Sequence, residues 1–503
     1  MSGSSHWSRM LLITLLSFTR ASYYSLVTPN STSTTVLDVE ETLFTPVESL
    51  EFISESEFTI ISHPLFPGHS ARIKKSHFCD HTVNAYTGYI DIEARHLFFY
   101  FFESRSEPEE DDVIFWINGG PGGSAGFGLF MELGPCRILD DHGPKFHPES
   151  WNSKANIFFV DQPVGVGFSY AEYGESVSTT EEAAQDIAAF IAIFFENFNQ
   201  FKGRPFHMAG ESYGGYYIPH FASAVYDQNA ALVKAGLTPV NLNSTMIGKS
   251  VVPQSGYDDD ETDILPCGKQ ATQRLIPTRC SGPTMTLHVE RCKRWTKAAC
   301  LDQYDAIGCG AAFGWCEEQI TGPFLETGLN PYYYSDQCNG TLEEDLCSPA
   351  EIKHVNTFLS NPKVRKQLGV DSHPALPANF SLIGWNVTTA FSSTQDALHP
   401  STPYVAALLE RGIRTLIYVG TYDWICNWVG NERWMLDLEW SGAEVFRNDK
   451  PREWVVDGKV AGKTRGSGLL TFATVDAAGH MVPYYKPKES LEMVIRWMYG
   501  KGL

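Results

Sequence analysis

The sequence of 503 residues has no apolar run long enough to cross a bilayer: the short run Met10–Phe18 falls well short, and no later stretch does better. The chain is also poor in positive charge, with 38 Lys and Arg residues against 59 Asp and Glu residues and a net charge of −21. That balance argues against nucleic acid and anionic membrane surfaces as partners. An internal repeat and a C-x-x-C pair are absent as well, which disfavours repeat architectures and the common zinc sites.

The features that are present are those of a protein entering the secretory pathway. Arg9 precedes the apolar run, and a cleavage site near Ala21 predicts a signal peptide over residues 1–21. Residues 22–78 would then form an N-terminal extension or propeptide, and secreted and vacuolar destinations both stay open. Eleven cysteines in this context predict disulfides, with one cysteine left over. Five N-x-S/T sequons predict glycosylated surface positions, at Asn30, Asn243, Asn339, Asn379 and Asn386.

The strongest signal for chemistry is the segment Gly210–Gly214, which reads G-E-S-Y-G. The short apolar run Pro205–Ala209 precedes it and a helix-like segment follows, which is the context that a G-x-S-x-G nucleophile elbow requires. Its glycines let the backbone turn tightly and expose the Ser212 hydroxyl at a helix N-terminus. Taken alone, the pentapeptide also fits a glycine-rich turn with a solvated serine, so the choice depends on the rest of the chain.

A glycine-rich loop upstream could supply donors for an oxyanion. The loop Asn118–Ala125 follows a predicted buried strand, Val113–Ile117, and its glycines allow backbone N–H groups to point at a substrate oxygen. A dinucleotide-binding loop is the rival interpretation, since Gly120–Ala125 fits a loose G-x-G-x-x-G/A pattern. It is weak because Pro121 removes a donor and no ribose-binding acid is suitably placed.

Two further catalytic candidates each follow a predicted strand. Asp423 comes after Ile413–Gly420, and His480 comes after Leu469–Val475. Either residue alone would be interpreted as an ordinary turn or surface residue. Together they complete the order Ser, Asp, His of α/β-hydrolases, with each residue where parallel strands end. The sequence therefore predicts a catalytic triad.

Several motifs of the chain resemble those of the serine carboxypeptidase family. They are Tyr86–Asp91, Trp116–Gly122, Phe159–Tyr170, Gly210–Gly215, Asp423–Trp428 and Gly479–Pro483. The resemblance runs from about residue 79 to the C-terminus. The chain departs from it at Gly123, where the family commonly has Cys, and at Ala125, where it often has Ser. The first departure puts one family disulfide in doubt, and the catalytic residues are unaffected.

The resemblance implies an α/β-hydrolase fold with a central, mostly parallel sheet and an inserted Cys-rich cap. The core would occupy residues 79–249 and 351–503, with the turn-laden region 250–350 as the cap, because the gap between Ser212 and Asp423 is long for a minimal hydrolase. The helix predicted from Thr179 to Phe198 belongs to the core. The resemblance also pairs Cys267 with Cys280, Cys292 with Cys316, and Cys300 with Cys309. It leaves open the pairing of Cys79, Cys136, Cys338 and Cys347.

The same resemblance assigns catalytic roles. Ser212 would attack the carbonyl, His480 would act first as base and then as acid, and Asp423 would orient His480. The backbone N–H groups of Gly120 and Tyr213 would form the oxyanion hole, which agrees with where such donors sit in the fold. No cofactor or metal is expected.

Recognition of a free carboxylate would distinguish a carboxypeptidase from an esterase. The resemblance implies that Asn118, Glu132 and Glu211 bind the terminal carboxylate of the substrate, with the two glutamates sharing a proton because adjacent carboxylates do not both ionise readily. Cys426 and Met481 would line the substrate pocket, although a buried, inert thiol fits Cys426 equally well. The expected activity is release of C-terminal amino acids from peptides or proteins through an acyl-enzyme, favoured at acidic pH. An acyltransferase or esterase on the same fold is the alternative, and the oligomeric state is left undetermined.

Overall fold

The computed structural model describes residues 44–250, 283–466 and 468–503. Fifteen strands lie within these residues. They are β1 (Thr59–Ser62), β2 (His69–Ser76), β3 (Ala85–Ile92), β4 (Arg95–Phe102), β5 (Val113–Ile117), β6 (Cys136–Arg137), β7 (Lys145–Phe146), β8 (Asn156–Val160), β9 (Tyr170–Ala171), β10 (Phe206–Ser212), β11 (Leu242–Ser250), β12 (Arg414–Gly420), β13 (Arg452–Val456), β14 (Lys459–Arg465) and β15 (Leu470–Val475).

One large sheet organises the fold. Its strand order is β1-β2-β3-β4-β8-β5-β10-β11-β12-β15-β14-β13, with β9 paired to β4, while β6 and β7 form a separate hairpin. The six central strands from β8 to β15 run parallel to one another. Antiparallel strands extend the sheet at both edges. This is the mostly parallel sheet expected of an α/β-hydrolase.

Fourteen α-helices fall within the described ranges. They are α1 (Thr180–Asn197), α2 (Gly214–Lys234), α3 (Pro283–Thr296), α4 (Ala306–Cys316), α5 (Gly322–Leu325), α6 (Leu342–Asp345), α7 (Pro349–Ser360), α8 (Pro362–Leu368), α9 (Trp385–Thr394), α10 (Thr402–Glu410), α11 (Trp428–Asp437), α12 (Ala443–Asn448), α13 (Val482–Tyr485) and α14 (Pro487–Met498). The α1 helix begins as expected, because the Thr179 hydroxyl accepts a hydrogen bond from the Glu182 N–H.

Hydrophobic cores lie on both faces of the sheet, because successive strand side chains point in opposite directions. In β5, Val113, Phe115 and Ile117 pack into one core with residues of α1, α2 and α10. Ile114 and Trp116 pack into the other, with residues of α7 and α14. Burial on both faces explains why the sequence of β5 is an unbroken apolar run. The same packing holds the end of β5 in place, directly before the glycine-rich loop.

The predicted N-terminal boundary of the core differs from the structure. Residues 59–76, assigned to the extension or propeptide, form β1 and β2 of the main sheet, and Ile61 and Ile73 are buried in its core. The region predicted as an irregular cap is largely helical where it is described, from α3 to α6. Helices continue through α10 before the chain returns to the sheet at β12. β1 and β2 belong to the sheet because their buried side chains pack into its core, and α7 and α10 likewise contribute residues to the cores.

The disulfides agree with the expected pairing where they can be compared and resolve the pairing left open. Cys292 is bonded to Cys316 and Cys300 to Cys309, both within the cap. The open set pairs as Cys79–Cys136 and Cys338–Cys347. The predicted Cys267–Cys280 bond lies outside the described residues. Among the cysteines that are described, only Cys426 is in no disulfide.

No helix in the described ranges is long and apolar enough to cross a membrane.

Candidate active site

Four parallel strands of the sheet place the predicted site residues at their carboxyl ends. Ser212 ends β10, Asn118 directly follows β5, and Asp423 and His480 lie in the loops that follow β12 and β15. These strands are parallel and lie near one another in the order β5-β10-β11-β12-β15. Their carboxyl ends therefore meet at the same edge, which is where open α/β sheets place their ligands.

The backbone at Ser212 makes the sharp turn that exposes its hydroxyl. Ser212 has a φ of +57°, a left-handed conformation that is unusual for a residue with a side chain. The turn is tightly enclosed, since a Cβ at Gly119 would lie 2.4 Å from the Tyr213 nitrogen and one at Gly210 would lie 2.9 Å from the Ile117 carbonyl oxygen. The glycines are therefore needed for close approach, and α2 starts directly after the turn.

His480 and Asp423 form a buried hydrogen-bonded pair. The His480 Nδ1 lies 2.9 Å from an Asp423 carboxylate oxygen, Oδ2, and both residues are buried. The other carboxylate oxygen accepts the Cys426 N–H at 3.1 Å. Donation by His480 Nδ1 leaves Nε2 as the proton acceptor of the ring. Ser212 and His480 both line the same cavity of about 310 Å³.

The His480 loop is also held by a cap residue that sequence reasoning missed. The Tyr332 carbonyl accepts the His480 N–H at 2.7 Å, and the Tyr332 ring packs edge-on against the imidazole with centroids 4.9 Å apart. The neighbouring Pro331 carbonyl accepts the N–H of Trp424, in the Asp423 loop. Nothing in the sequence around Tyr332 signals this contact, because it joins residues almost 150 positions apart.

The glycine-rich loop is anchored by a buried carboxylate, Asp161. Its Oδ1 accepts the Ser124 hydroxyl at 2.6 Å and the Ala125 N–H at 3.1 Å, and its Oδ2 accepts the Phe168 N–H at 3.1 Å. Complete burial raises the pKa of Asp161 to about 6, although these three hydrogen bonds oppose the rise. The loop that presents Gly120 to the cavity is thus fastened to the end of β8. Asp161 lies in the Phe159–Tyr170 motif, and that motif is the feature of the sequence from which a role for Asp161 could have been predicted.

Asn118 joins the two glutamates predicted to bind a carboxylate. Its Nδ2 donates to Glu211 Oε1 at 3.0 Å and to Glu132 Oε1 at 3.3 Å. Its Oδ1 accepts the Trp116 indole N–H and the Gly128 N–H, which fixes the orientation of the amide. Glu132 and Glu211 are both buried. Asn118 and Glu211 line the cavity beside Ser212, and Glu132 is joined to them through the Asn118 amide.

Of the two predicted pocket residues, the structure brings one to the cavity. Met481 is among the lining residues, whereas Cys426 is not among those described there. Cys426 is buried beside Asp423, which matches the alternative of a buried thiol. The ligand atoms of Asp423, Cys426 and His480 lie within 4.8 Å of one another. The His480–Asp423 hydrogen bond already explains this proximity, so the cluster adds no support for a metal centre.

A second Ser–His–Asp chain lies at the amino ends of the parallel strands, opposite the end that carries Ser212. His207 Nδ1 is 2.7 Å from the Ser244 Oγ, and its Nε2 is 2.9 Å from an Asp112 carboxylate oxygen. Ser244 and His207 are fully buried, and the Ser244 Oγ also accepts the Trp497 indole N–H. Hydrogen-bond geometry alone therefore does not identify a catalytic serine in this chain. The cavity at Ser212 distinguishes the two.

The described sequons differ in exposure. Asn339, Asn379 and Asn386 are exposed, as expected of glycosylation sites. Asn243 lies near the start of the interior strand β11, is half-buried, and accepts a hydrogen bond from Arg414. The sequence pattern could not show this, because a sequon carries no information about sheet position. Asn30 lies outside the described residues.

The sheet, the nucleophile turn and the buried His–Asp pair define the class as an α/β-hydrolase with the residues of a serine hydrolase. A family model described as "Serine carboxypeptidase" matches residues 77–500. The chain belongs to the serine carboxypeptidase family.

Similar proteins support this assignment. Carboxypeptidase Y of Candida albicans is 37% identical over 440 residues, covering 86% of this chain and 77% of that protein. A vacuolar serine-type carboxypeptidase of Saccharomyces cerevisiae, ATG42, is 37% identical over 423 residues, covering 83% and 80%. The crystal structure of Kex1(delta)p, a prohormone-processing carboxypeptidase from S. cerevisiae, has a TM-score of 0.69 and 25% identity, covering 89% of this chain and 96% of that one.

Proposed function

We propose that this protein is a serine-type carboxypeptidase that releases C-terminal amino acids from peptides through an acyl-enzyme. The observation that carries the proposal is the Asn118–Glu132–Glu211 cluster beside Ser212, since an esterase has no use for a carboxylate-binding group at its leaving-group side. Membership of the family supports the same activity.

In this proposal, Ser212 Oγ attacks the carbonyl carbon of the last peptide bond while His480 Nε2 takes the Oγ proton. The resulting oxyanion accepts the Gly120 and Tyr213 N–H groups. His480 then passes its proton to the departing amine, and the C–N bond breaks. Water, deprotonated by His480, hydrolyses the ester on Ser212. Asp423 holds the imidazole in the tautomer that these reaction steps need, as the 2.9 Å distance between His480 Nδ1 and Asp423 Oδ2 supports.

The carboxylate of the departing residue would bind at Asn118, Glu132 and Glu211. Both glutamates contact the same Asn118 nitrogen, so two ionised carboxylates there would repel each other and the anionic substrate. A proton shared by the glutamates lowers that repulsion and supplies a hydrogen-bond donor. The proposal therefore includes an acidic working range.

Entry into the secretory pathway completes the proposal. The four described disulfides fit an oxidising compartment, and three exposed sequons fit glycosylation there. Secretion and vacuolar delivery are both compatible with these features.

The test is the hydrolysis of an N-blocked dipeptide compared with its C-terminal amide. Release of the free amino acid from the acid, with at least a tenfold lower kcat/KM for the amide, is the expected result. Equal rates on both, or activity on simple esters alone, would support the esterase alternative instead.

A further inference from the structure

A buried carboxylate outside the triad is bonded to the residue that follows the nucleophile. Asp396 lies on a short helical turn after α9, is 4% exposed, and belongs to none of the motifs noted in the sequence. The Tyr213 hydroxyl donates to its Oδ2 at 2.6 Å. Tyr213 is the residue whose backbone N–H is proposed to bind the oxyanion.

The same carboxylate holds the start of α1. The Thr180 hydroxyl donates to Asp396 Oδ2 at 2.6 Å, and the Thr180 N–H donates to Oδ1 at 2.9 Å. Asp396 therefore accepts three hydrogen bonds and also faces the positive end of the α1 dipole, which compensates for the burial of its charge. Burial, followed by the charge of Asp396, raises the pKa of Tyr213 well above its usual value. The phenol thus stays protonated and keeps donating at every working pH.

The turn carrying Asp396 is bound to the nucleophile turn at two points. Besides the Tyr213 contact, the Tyr216 hydroxyl donates to the Ala397 carbonyl at 2.8 Å, and the Tyr213 and Tyr216 rings stack with centroids 4.6 Å apart. The left-handed backbone at Ser212 persists only if its surroundings over-determine it. The Tyr213 side chain, held at its hydroxyl end, is one such constraint, in addition to the close packing of the turn at Gly119 and Gly210.

We infer that Asp396 is a positioning residue, which through the Tyr213 hydroxyl holds the Tyr213 N–H and the Ser212 turn in the geometry that stabilises the oxyanion. The inference rests on the function proposed above. Its consequence is that loss of the Asp396–Tyr213 hydrogen bond lowers kcat while leaving substrate binding almost unchanged, because neither residue is among those described as lining the cavity at Ser212. A misplacement of about 1 Å at a reacting centre costs about 100-fold in rate, so a partial loosening should cost about 10- to 100-fold.

The structure offers a matched pair of single-bond deletions. Tyr213→Phe removes the hydroxyl that reaches Asp396 and keeps both the ring and the backbone N–H. Thr180→Val removes an equivalent hydroxyl from the same carboxylate oxygen on the α1 side. We expect Tyr213→Phe and Asp396→Asn to lower kcat about 10- to 100-fold with KM within about threefold of wild type. Thr180→Val should lower the Tm and change kcat by less than about twofold.

Rates should be expressed per active site, by titrating Ser212 with a fluorophosphonate well below the Tm of each variant. A structural role alone would reduce the number of titratable sites and leave kcat per site unchanged. The rate constant of phosphonylation should fall along with kcat, because that reaction also develops charge in the oxyanion hole. The double variant Tyr213→Phe/Asp396→Asn should be no worse than the poorer single variant.

Unchanged kcat per site in Tyr213→Phe, or an equal loss in Thr180→Val, would overturn the inference. If Asp396→Asn does not fold, the comparison of Tyr213→Phe with Thr180→Val still decides it. Ser212→Ala separates this outcome from failure of the proposed function: retained peptide turnover in Ser212→Ala would refute the mechanism itself, whereas its inactivity together with a normal Tyr213→Phe would refute only the role of Asp396.

Discussion

Replacement of Glu211 by Gln tests the carboxylate-binding cluster most directly. Asn118 Nδ2 contacts Glu211 at 3.0 Å and Glu132 at 3.3 Å, and all three side chains are buried. Glu211→Gln removes one of the two carboxyl groups that are proposed to share a proton and to donate it to the substrate carboxylate, and it keeps the size of the side chain. Without that shared proton, the site loses a hydrogen bond to the substrate carboxylate. Loss of one charge-assisted hydrogen bond costs about 1.5–3 kcal/mol, or roughly 10- to 150-fold in KM.

The assay compares two substrates across pH. KM and kcat should be measured between about pH 4.5 and pH 7.5 for an N-blocked dipeptide and for an ester of similar size without a terminal carboxylate. The wild-type KM for the dipeptide should rise toward neutral pH, and KM for the dipeptide should be higher in Glu211→Gln than in the wild type. KM for the ester should follow neither change. Glu57→Gln, which removes the same charge from an exposed position, is the control.

This reasoning would be refuted if KM for the dipeptide and KM for the ester changed in parallel with pH. A loss of kcat on the ester as large as the loss on the dipeptide would also refute it, because the cluster would then serve the chemistry and not the leaving residue.

Three further predictions concern the triad and the loop that faces it. Ser212→Ala should abolish peptide hydrolysis and fluorophosphonate labelling while keeping the wild-type Tm; labelling of another residue would contradict the assignment of the nucleophile. His480→Ala should lower kcat nearly as much as Ser212→Ala, and the double variant Ser212→Ala/His480→Ala should be little worse than either. A loss of kcat in the double variant equal to the product of the two single losses would show that the residues act independently. Asp423→Asn should lower kcat severely, but less than His480→Ala does. Because the pKa of Asp161 rises from 3.8 to about 6 on folding, its stabilisation is complete below about pH 4 and lost as pH rises through 6. Asp161→Asn should therefore reduce the fall in unfolding free energy between pH 4 and pH 7 by about 3 kcal/mol, measured by denaturant titration, and an unchanged pH slope would contradict the argument.

The predicted triad shows what local sequence can establish. Ser212, Asp423 and His480 each follow a strand whose apolar run and flanking turn residues are local signals. The observed strands β10, β12 and β15 begin or end within three residues of the predicted bounds. Parallel strands share one carboxyl edge, so the order of these segments was enough to predict that the three residues lie at the same edge.

The N-terminal boundary shows where the same reasoning fails. Residues 59–76 were assigned outside the core, yet they form β1 and β2 at the edge of the sheet. Their pattern of burial is mixed, with Ile61 and Ile73 buried among half-exposed neighbours. β1 pairs with β2 and β2 pairs with β3, so the place of these strands in the main sheet depends on this pairing, and the few apolar residues in each segment give only a weak strand signal.

The sequence by itself determined the nucleophile turn and the order Ser, Asp, His, because these depend on apolar strand runs and on glycines at fixed offsets, and the resemblance of its motifs to the serine carboxypeptidase family supplied the fold class. Only the tertiary structure decided that Cys79 pairs with Cys136, that the Tyr332 carbonyl holds His480, and that Asp396 bonds to Tyr213. Each of these contacts joins residues 57 to 183 positions apart. Nothing in the neighbourhood of either partner specifies the other, since the contact forms only when the packing of helices against the sheet brings the two segments together.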